Sequence, residues 1–220
     1  MNAILAPLTG PSSMFGDADG DGVWNRCLDA AIDAFNSGSL GIAAAVVDRE
    51  GRIVSLGRNR MDEVPDDPLS IGGSSVSHAE TNAIHGLGRR SLTDYELALY
   101  TTVEPCPMCI GAIGMSRIRR VVVASRDPHA GSLDLLETSG YLRSKGIAAE
   151  EPGGAIERAF FGIHYLSIRR LPHIAPSHRI YAAFRTRYGG LMDRIDERLG
   201  NEPLSELRLN RETIARLFVR

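Results

Sequence analysis

The stretch LYTTVEPCPMCIGAIGMSRI, Leu99 to Ile118, carries two of the chain's three cysteines, Cys106 and Cys109, three residues apart and preceded by Pro105. A pair at this spacing suits redox chemistry, half of a structural metal site, or part of a catalytic one. A run of strand formers, Leu97 to Val103, leads into Pro105, and Ile110, Ile113, Met115 and Ile118 then recur at roughly helical spacing. Both cysteines therefore fall at the start of a helix. There the macrodipole and unpaired N–H groups favour thiolates, which serve redox chemistry and metal binding equally well.

A second segment, SVSHAETNAIHGL, decides between these readings. His78 is a soft nitrogen ligand and Glu80 lies two residues on. Inside a helix such residues point roughly 200° apart, but with His78 as N-cap and Glu80 in the first turn both lean over the helix end. Two helix starts facing each other then present His78, Cys106 and Cys109 to one ion, with the cysteines on one face as i and i+3. Three protein ligands with two thiolates suit Zn2+ and leave a fourth tetrahedral position for water. The thiolates cancel the ion's charge, and Glu80 is placed to take the water's proton. The pattern describes a catalytic zinc site with Glu80 as proton shuttle. A thiol oxidoreductase would use Cys106 and Cys109 but leave His78 and Glu80 idle. A structural zinc module would want a fourth ligand, yet Cys27 belongs to a different apolar stripe and His85 lies two turns beyond His78.

The elements that must position these residues alternate between strand and helix. Residues 1–20 read as a flexible arm rich in Gly, Pro, Ser and Asp. Its DADGDG stretch mimics the opening of a calcium loop, but Leu28 stands where the bidentate carboxylate belongs, so Asp19 or Asp21 reads as a helix N-cap. A helix follows with Val23, Trp24, Cys27, Leu28, Ala31, Ala34 and Phe35 on one face, Cys27 being a core residue. Two strands joined by a turn at Asp48–Gly51 form a hairpin, and a long connection from Met61 to Ser77 leads to a helix over 78–87. Strand 97–103, the cysteine helix, strand 119–126, a helix over GSLDLLETSGYLRSKG, a short strand IAAEE and a helix over 155–170 complete the unit. This alternation predicts an α/β sheet covered by helices on both faces, with a domain over residues 21–171. Past Pro172, residues 172–220 read as short helices forming an appendage, broken at Pro176, Gly189–Gly190, Gly200 and Pro203.

At 220 residues with 43% hydrophobic and 24% charged side chains, the chain can bury one sizeable core. No window approaches a membrane-spanning apolar run, the N-terminus does not read as a signal peptide, and three cysteines make no disulfide scaffold. A reducing cytoplasm is the expected compartment. Net charge is −2 and the isoelectric point about 6.3, which argues against a dedicated nucleic-acid binder. The charge is uneven: Ser167 to Arg220 holds eleven Arg against six acids, net +5, leaving −7 for the rest.

The linked motifs His78-Ala79-Glu80 and Pro105-Cys106-Pro107-Met108-Cys109 match the signature of the zinc deaminases. Together with LYTTVEPCPMCIGAIGMSRIRRVVVASRD they resemble the cytidine deaminase-like superfamily, most closely its guanine deaminase and tRNA adenosine deaminase branch. The resemblance covers roughly Val23 to Arg170. It implies a three-layer α/β/α sandwich around a five-stranded mixed sheet whose last two strands run parallel, and a dimer or higher oligomer. It further implies that Asn59 hydrogen-bonds the target base, that the Ala79 backbone N–H donates to the ring, and that Asp127 and His129 flank the substrate mouth. The resemblance thus implies a hydrolytic deaminase that converts an exocyclic amino group to oxo with release of ammonia. The acidic main body favours a small nucleobase or analogue, such as guanine, cytosine, adenine or an aminotriazine. The basic C-terminal segment keeps tRNA as the alternative substrate. Two features depart from the branch's pattern: the long connection from Asn59 to His78, and the segment after Pro172.

Overall fold

The computed structural model describes residues 14–15, 22–64, 71–94 and 96–219. Its elements run α1 (Val23–Asn36), β1 (Ala43–Val47), β2 (Ile53–Arg58), α2 (Ala79–Gly86), α3 (Arg90–Thr93), β3 (Leu97–Val103), α4 (Pro107–Met115) and β4 (Ile118–Ser125). They continue with α5 (Leu135–Thr138), α6 (Gly140–Arg143), β5 (Ala148–Glu150), α7 (Gly154–Arg170), α8 (Arg179–Leu199), α9 (Arg211–Ile214) and a π-helical turn over Ala215–Val219.

The five strands form one sheet in the order β2-β1-β3-β4-β5. β1 pairs antiparallel with both β2 and β3, while β3–β4 and β4–β5 are parallel. Because β1 alone is reversed, the C-terminal ends of β2, β3 and β4 and the N-terminal end of β1 all emerge at one edge. In an open α/β sheet that carboxyl edge is where ligands bind.

Strand periodicity sorts the core into two layers. Ala43, Ala45 and Val47 of β1 and Val122 and Ala124 of β4 face a cluster built from α1, α7 and α8. Ala44 and Val46 of β1, Leu97 and Leu99 of β3 and Val121 and Val123 of β4 face the opposite cluster, with Ala79 and Ala83 of α2 and Ile110 and Ile113 of α4. The three-layer α/β/α sandwich is therefore observed. At Gly57 in β2 the helix and the sheet approach closely, since a Cβ there would collide with the backbone of Ala79 and Ala83. α2 thus lies directly on β2, and its first turn is delivered to the carboxyl edge.

Local differences from the sequence expectation have physical causes. The helix expected over GSLDLLETSGYLRSKG is two short pieces, α5 and α6, separated at Ser139, whose hydroxyl caps α6 by accepting from Leu142 N–H. α1 begins behind Gly22, which has φ 78°; the expected caps Asp19 and Asp21 lie outside the described residues. So does the arm over residues 1–20, apart from Met14 and Phe15, and the Phe15 ring is buried against Phe160 with centroids 5.8 Å apart.

The largest difference concerns the segment after Pro172. It contains one 21-residue helix, α8, which runs straight through Gly189–Gly190. Ile180, Phe184, Tyr188, Leu191, Met192, Ile195 and Leu199 form its buried stripe, and they join the same cluster as α1 and α7. Each interior glycine costs a helix about 1 kcal/mol relative to Ala, less than burying a single one of those side chains contributes. The π-helical turn then sets Phe218, 1% exposed, against the bare Cα of Gly162 in α7. Among the described residues no helix is long and apolar enough to cross a membrane. Phe218→Ala should cost about 3–5 kcal/mol in urea unfolding, as for a ring removed from a core. A loss below about 1 kcal/mol would show that the C-terminal segment is a loosely attached appendage.

Candidate active site

The edge that collects these strand ends also collects the chemistry. His78 is the N-cap of α2, with extended φ −76° and ψ 161°, and Cys106 is the N-cap of α4, with φ −72° and ψ 171° and Pro107 at the first helical position. Proline suits that position because its missing N–H would be unpaired there anyway. Cys109 follows one turn later and is fully buried, whereas Cys106 is half-buried. His78 Nδ1 lies 3.6 Å from Cys106 Sγ and 3.5 Å from Cys109 Sγ, and the two sulfurs are 3.7 Å apart.

These distances test the fit to zinc. Zn–S bonds of about 2.3 Å and a Zn–N bond of about 2.0–2.1 Å in a tetrahedron require S···S of about 3.8 Å and S···N of about 3.6 Å. All three edges match. His78, Cys106 and Cys109 are the group of metal-competent side chains found together among the described residues. The donor set of one imidazole and two thiolates is that of an open zinc site.

Protonation favours the ligating form at Cys106 and opposes it at Cys109 and His78. A hydrogen bond from the Cys109 thiol, aided by His78, holds the Cys106 thiol down to about 4 against the opposing effect of burial. Cys109 is pushed up by that same sharing and by burial, with the Glu80 charge adding to the effect. His78 is raised by its hydrogen bond to Cys106, against burial. A metal replaces the proton that the two sulfurs share, so loading the site releases protons.

Glu80 sits in the first turn of α2, 4% exposed, with Oε2 3.4 Å from Cys109 Sγ. Burial raises its pKa, partly offset by hydrogen bonds from its own backbone N–H and from Thr101. Thr101 Oγ1 lies 2.9 Å from Glu80 Oε1 and 3.0 Å from the Val103 carbonyl. One hydroxyl proton cannot serve both acceptors at once, so Thr101 can donate to either the Glu80 carboxylate or the Val103 carbonyl. Thr101 escaped sequence reasoning. The signal was the alternation of β3, which puts this lone hydroxyl on the apolar face with Leu97, Leu99 and Val103.

A cavity of about 180 Å³ opens beside this centre, lined by His78, Glu80 and Cys106 together with Asn59, Ala79, Asp127 and His129. The structure thus brings to one cavity every candidate except Cys109, which lies behind the others. Asn59, 1% exposed, spends Oδ1 on the Met61 N–H at 3.1 Å, so its amide donors are the group able to address the cavity. Ala79 is the first residue of α2, where a backbone N–H has no intrahelical partner. Asp127 Oδ1 accepts from the N–H groups of His129 and Ala130, which shapes the turn after β4. The His129 ring meets His178, the N-cap of α8, edge-on at 6.1 Å.

Glu104, His164 and Ile180 also line the cavity, and sequence reasoning missed all three. Glu104 accepts from Arg126 Nη1, Asp127 N–H and Leu133 N–H at 3.0–3.1 Å, tying the turn after β4 to the start of α4. Its position beside Pro105-Cys106 was an available cue. His164 and Ile180 come from α7 and α8, where nothing local distinguishes them from core residues.

The cytidine and deoxycytidylate deaminase zinc-binding region matches residues 21–125, which include all three ligands and Glu80. A tRNA-specific adenosine deaminase of Rickettsia bellii is 32% identical over 114 residues, 50% of this chain and 72% of that protein. The chain belongs to the cytidine and deoxycytidylate deaminase family. Within this family, a guanine deaminase of Bacillus subtilis is 35% identical over 109 residues, 48% of this chain and 64% of that protein. A solved guanine deaminase from Nitrosomonas europaea shares the fold at 21% identity and a TM-score of 0.50, covering 74% of this chain and 96% of that one. The chain spans 18% and 66% of the length of the first curated relatives it matches.

Metal analysis checks the ligand set. Cys106→Ser and Cys109→Ser should each lose zinc, whereas Cys27→Ser, on the buried face of α1, should retain one zinc per chain. Full zinc in both single variants would remove the cysteines from the ligand set.

Proposed function

We propose that the chain is a zinc-dependent hydrolytic deaminase of a nucleobase or close heteroaromatic analogue, with His78, Cys106 and Cys109 as metal ligands and Glu80 as the catalytic acid–base. The observation that carries this reading is the tetrahedral spacing of the three donors with a buried carboxylate 3.4 Å from one of them, at the wall of a small cavity. When bound, zinc supplies water made acidic enough to attack at neutral pH. Glu80 takes a proton from the attacking water and delivers it to the ring nitrogen of the amidine. It then serves the departing amino group, which leaves as ammonia while the ring carbon keeps the water's oxygen as oxo. A buried carboxylate with a raised pKa suits a group that must accept and return a proton near neutrality. The Asn59 amide and the Ala79 N–H orient the base, while Asp127 and His129 bound the mouth. In this reading residues 21–171 are the catalytic domain and 172–220 an extension that completes the pocket wall. The enzyme works as a homodimer in the cytoplasm, where reducing conditions keep Cys106 and Cys109 available as thiolates.

A small substrate is favoured over tRNA by the state of the C-terminal arginines. Arg169 pairs with Asp196, Arg185 with Asp193, Arg187 with Glu157, Arg211 with Asp29 and Arg216 with Glu202. The segment's net +5 already counts Asp193, Asp196 and Glu202, so the pairs to Glu157 and Asp29 reduce it by two charges, and each guanidinium so paired is a poorer phosphate ligand.

Glu80→Ala should keep zinc and fold and lose at least about 10⁴-fold in turnover, the upper end for general acid–base catalysis, because one group acts in successive steps. Activity within tenfold of wild type would assign the proton transfers elsewhere. Ammonia release should be assayed across free bases, nucleosides and a tRNA anticodon stem-loop. On a small substrate, kcat/KM should change less than about tenfold between about 50 and 200 mM salt, against about 10³-fold for six or more phosphate contacts. Activity confined to the stem-loop, with that steep salt dependence, would select the tRNA alternative.

A further inference from the structure

The cavity spans both helical layers. Its metal side comes from α2 and α4, and its opposite side from His164 and Ile168 of α7 and Ile180 of α8. Two of those three are aliphatic. His164 is 3% exposed, and its Nδ1 is the only buried side-chain nitrogen or oxygen without a hydrogen-bond partner among the described residues. Its ring packs edge-on against Phe184 at 5.3 Å, which holds the ring plane without satisfying a nitrogen. A buried polar atom left unpaired in a native fold calls for a water or a ligand. Here the atom belongs to a residue that walls the pocket.

We infer that His164 is a specificity-determining residue, whose imidazole hydrogen-bonds the polar edge of the bound heterocycle remote from the reacting amino group. This rests on the deaminase reading for the identity of the ligand. With the amidine held at Glu80 and the metal ligands, the far edge of the ring is directed at α7. Burial drives His164 toward its neutral form, and the Asp127 charge across the cavity opposes this. A neutral imidazole presents a donor or an acceptor at a given nitrogen according to its tautomer, and so pairs with one lone pair or one N–H of a heteroaromatic edge. A ring lacking a polar atom there would leave that nitrogen unsatisfied, which makes the contact selective rather than merely attractive.

The test separates binding from turnover. The zinc-loaded full-length chain carrying Glu80→Ala is titrated calorimetrically with guanine, adenine and cytosine, alone and combined with His164→Phe or His164→Asn. The Phe variant removes the polar atoms while filling the space, and Asn returns a polar group near the Nδ1 position. The base that binds best should lose about tenfold or more in affinity with Phe, the worth of one buried hydrogen bond, and recover most of it with Asn. Zinc content and Tm should be undiminished in both variants. Should the Phe variant fail to fold, His164→Leu replaces it in the comparison. Equal affinities across the variants would overturn the role of His164 while leaving the deaminase reading intact. Base binding without ammonia release by the chain with Glu80 restored would overturn deamination and leave the His164 comparison standing. No binding of any base would overturn both.

Discussion

Everything in this site depends on strand direction. Two helix N-termini must face each other across a few ångströms, and the sheet fixes where each can start. With β1 reversed between β2 and β3, the ends of β2 and β3 emerge at one edge on either side of the start of β1. The turn after β4 and the approach to β1 open at that edge too, which brings Asp127 and Ile42 to the same cavity. Gly57 sets the height of α2 above the sheet, and Glu104 fixes the turn after β4 relative to α4. The match of the three donor separations to a zinc tetrahedron follows from backbone placement: Cys106 caps α4 three residues beyond the end of β3, and α2 with its cap His78 is held on β2 at Gly57 and by Asn82 Nδ2 donating to the Arg58 carbonyl.

Legibility in the sequence followed the range of the interactions. The convergence of His78, Glu80, Cys106 and Cys109 could be read because it depends on spacings of two and three residues at helix starts, where local geometry and chemistry coincide. The hairpin turn at Asp48–Gly51 was legible for the same reason. Asp48 Oδ1 accepts from the N–H groups of Glu50 and Arg52, a contact encoded within five residues. What was not legible is what forms between distant elements. Whether His164 lies in core or in cavity wall depends on where α8 crosses α7, and no local pattern encodes that crossing. The glycine pair in α8 misled for a related reason: helix propensity is a weak prior, and a seven-residue apolar stripe overrode it. Charge counting has the same limit: it registers the C-terminal excess of arginine but not the pairing of Arg187 with Glu157 on α7 and of Arg211 with Asp29 on α1.

Glu80 and Thr101 show how the protein tolerates a buried carboxylate. Desolvation alone would favour the neutral acid, yet a threonine hydroxyl with two acceptors within 3.0 Å lets the environment accommodate either state. Switching costs a rotation about one C–O bond rather than a rearrangement of the core. The acid–base role proposed for Glu80 asks for that indifference, because the carboxyl would have to be accommodated on both sides of each transfer.

The division of the cavity between two layers has a consequence for how such a protein can change over time. The reactive centre hangs from α2 and α4 on one face of the sheet, and the opposing wall hangs from α7 and α8 on the other. No ligand of the metal belongs to the second group. Replacements in α8, and in the stretch from Pro172 that leads into it, can therefore redraw the outline a substrate must fit while the reactive geometry stays where the strands put it. A lineage can reshape the cavity by altering that wall and leave His78, Cys106, Cys109 and Glu80 in place.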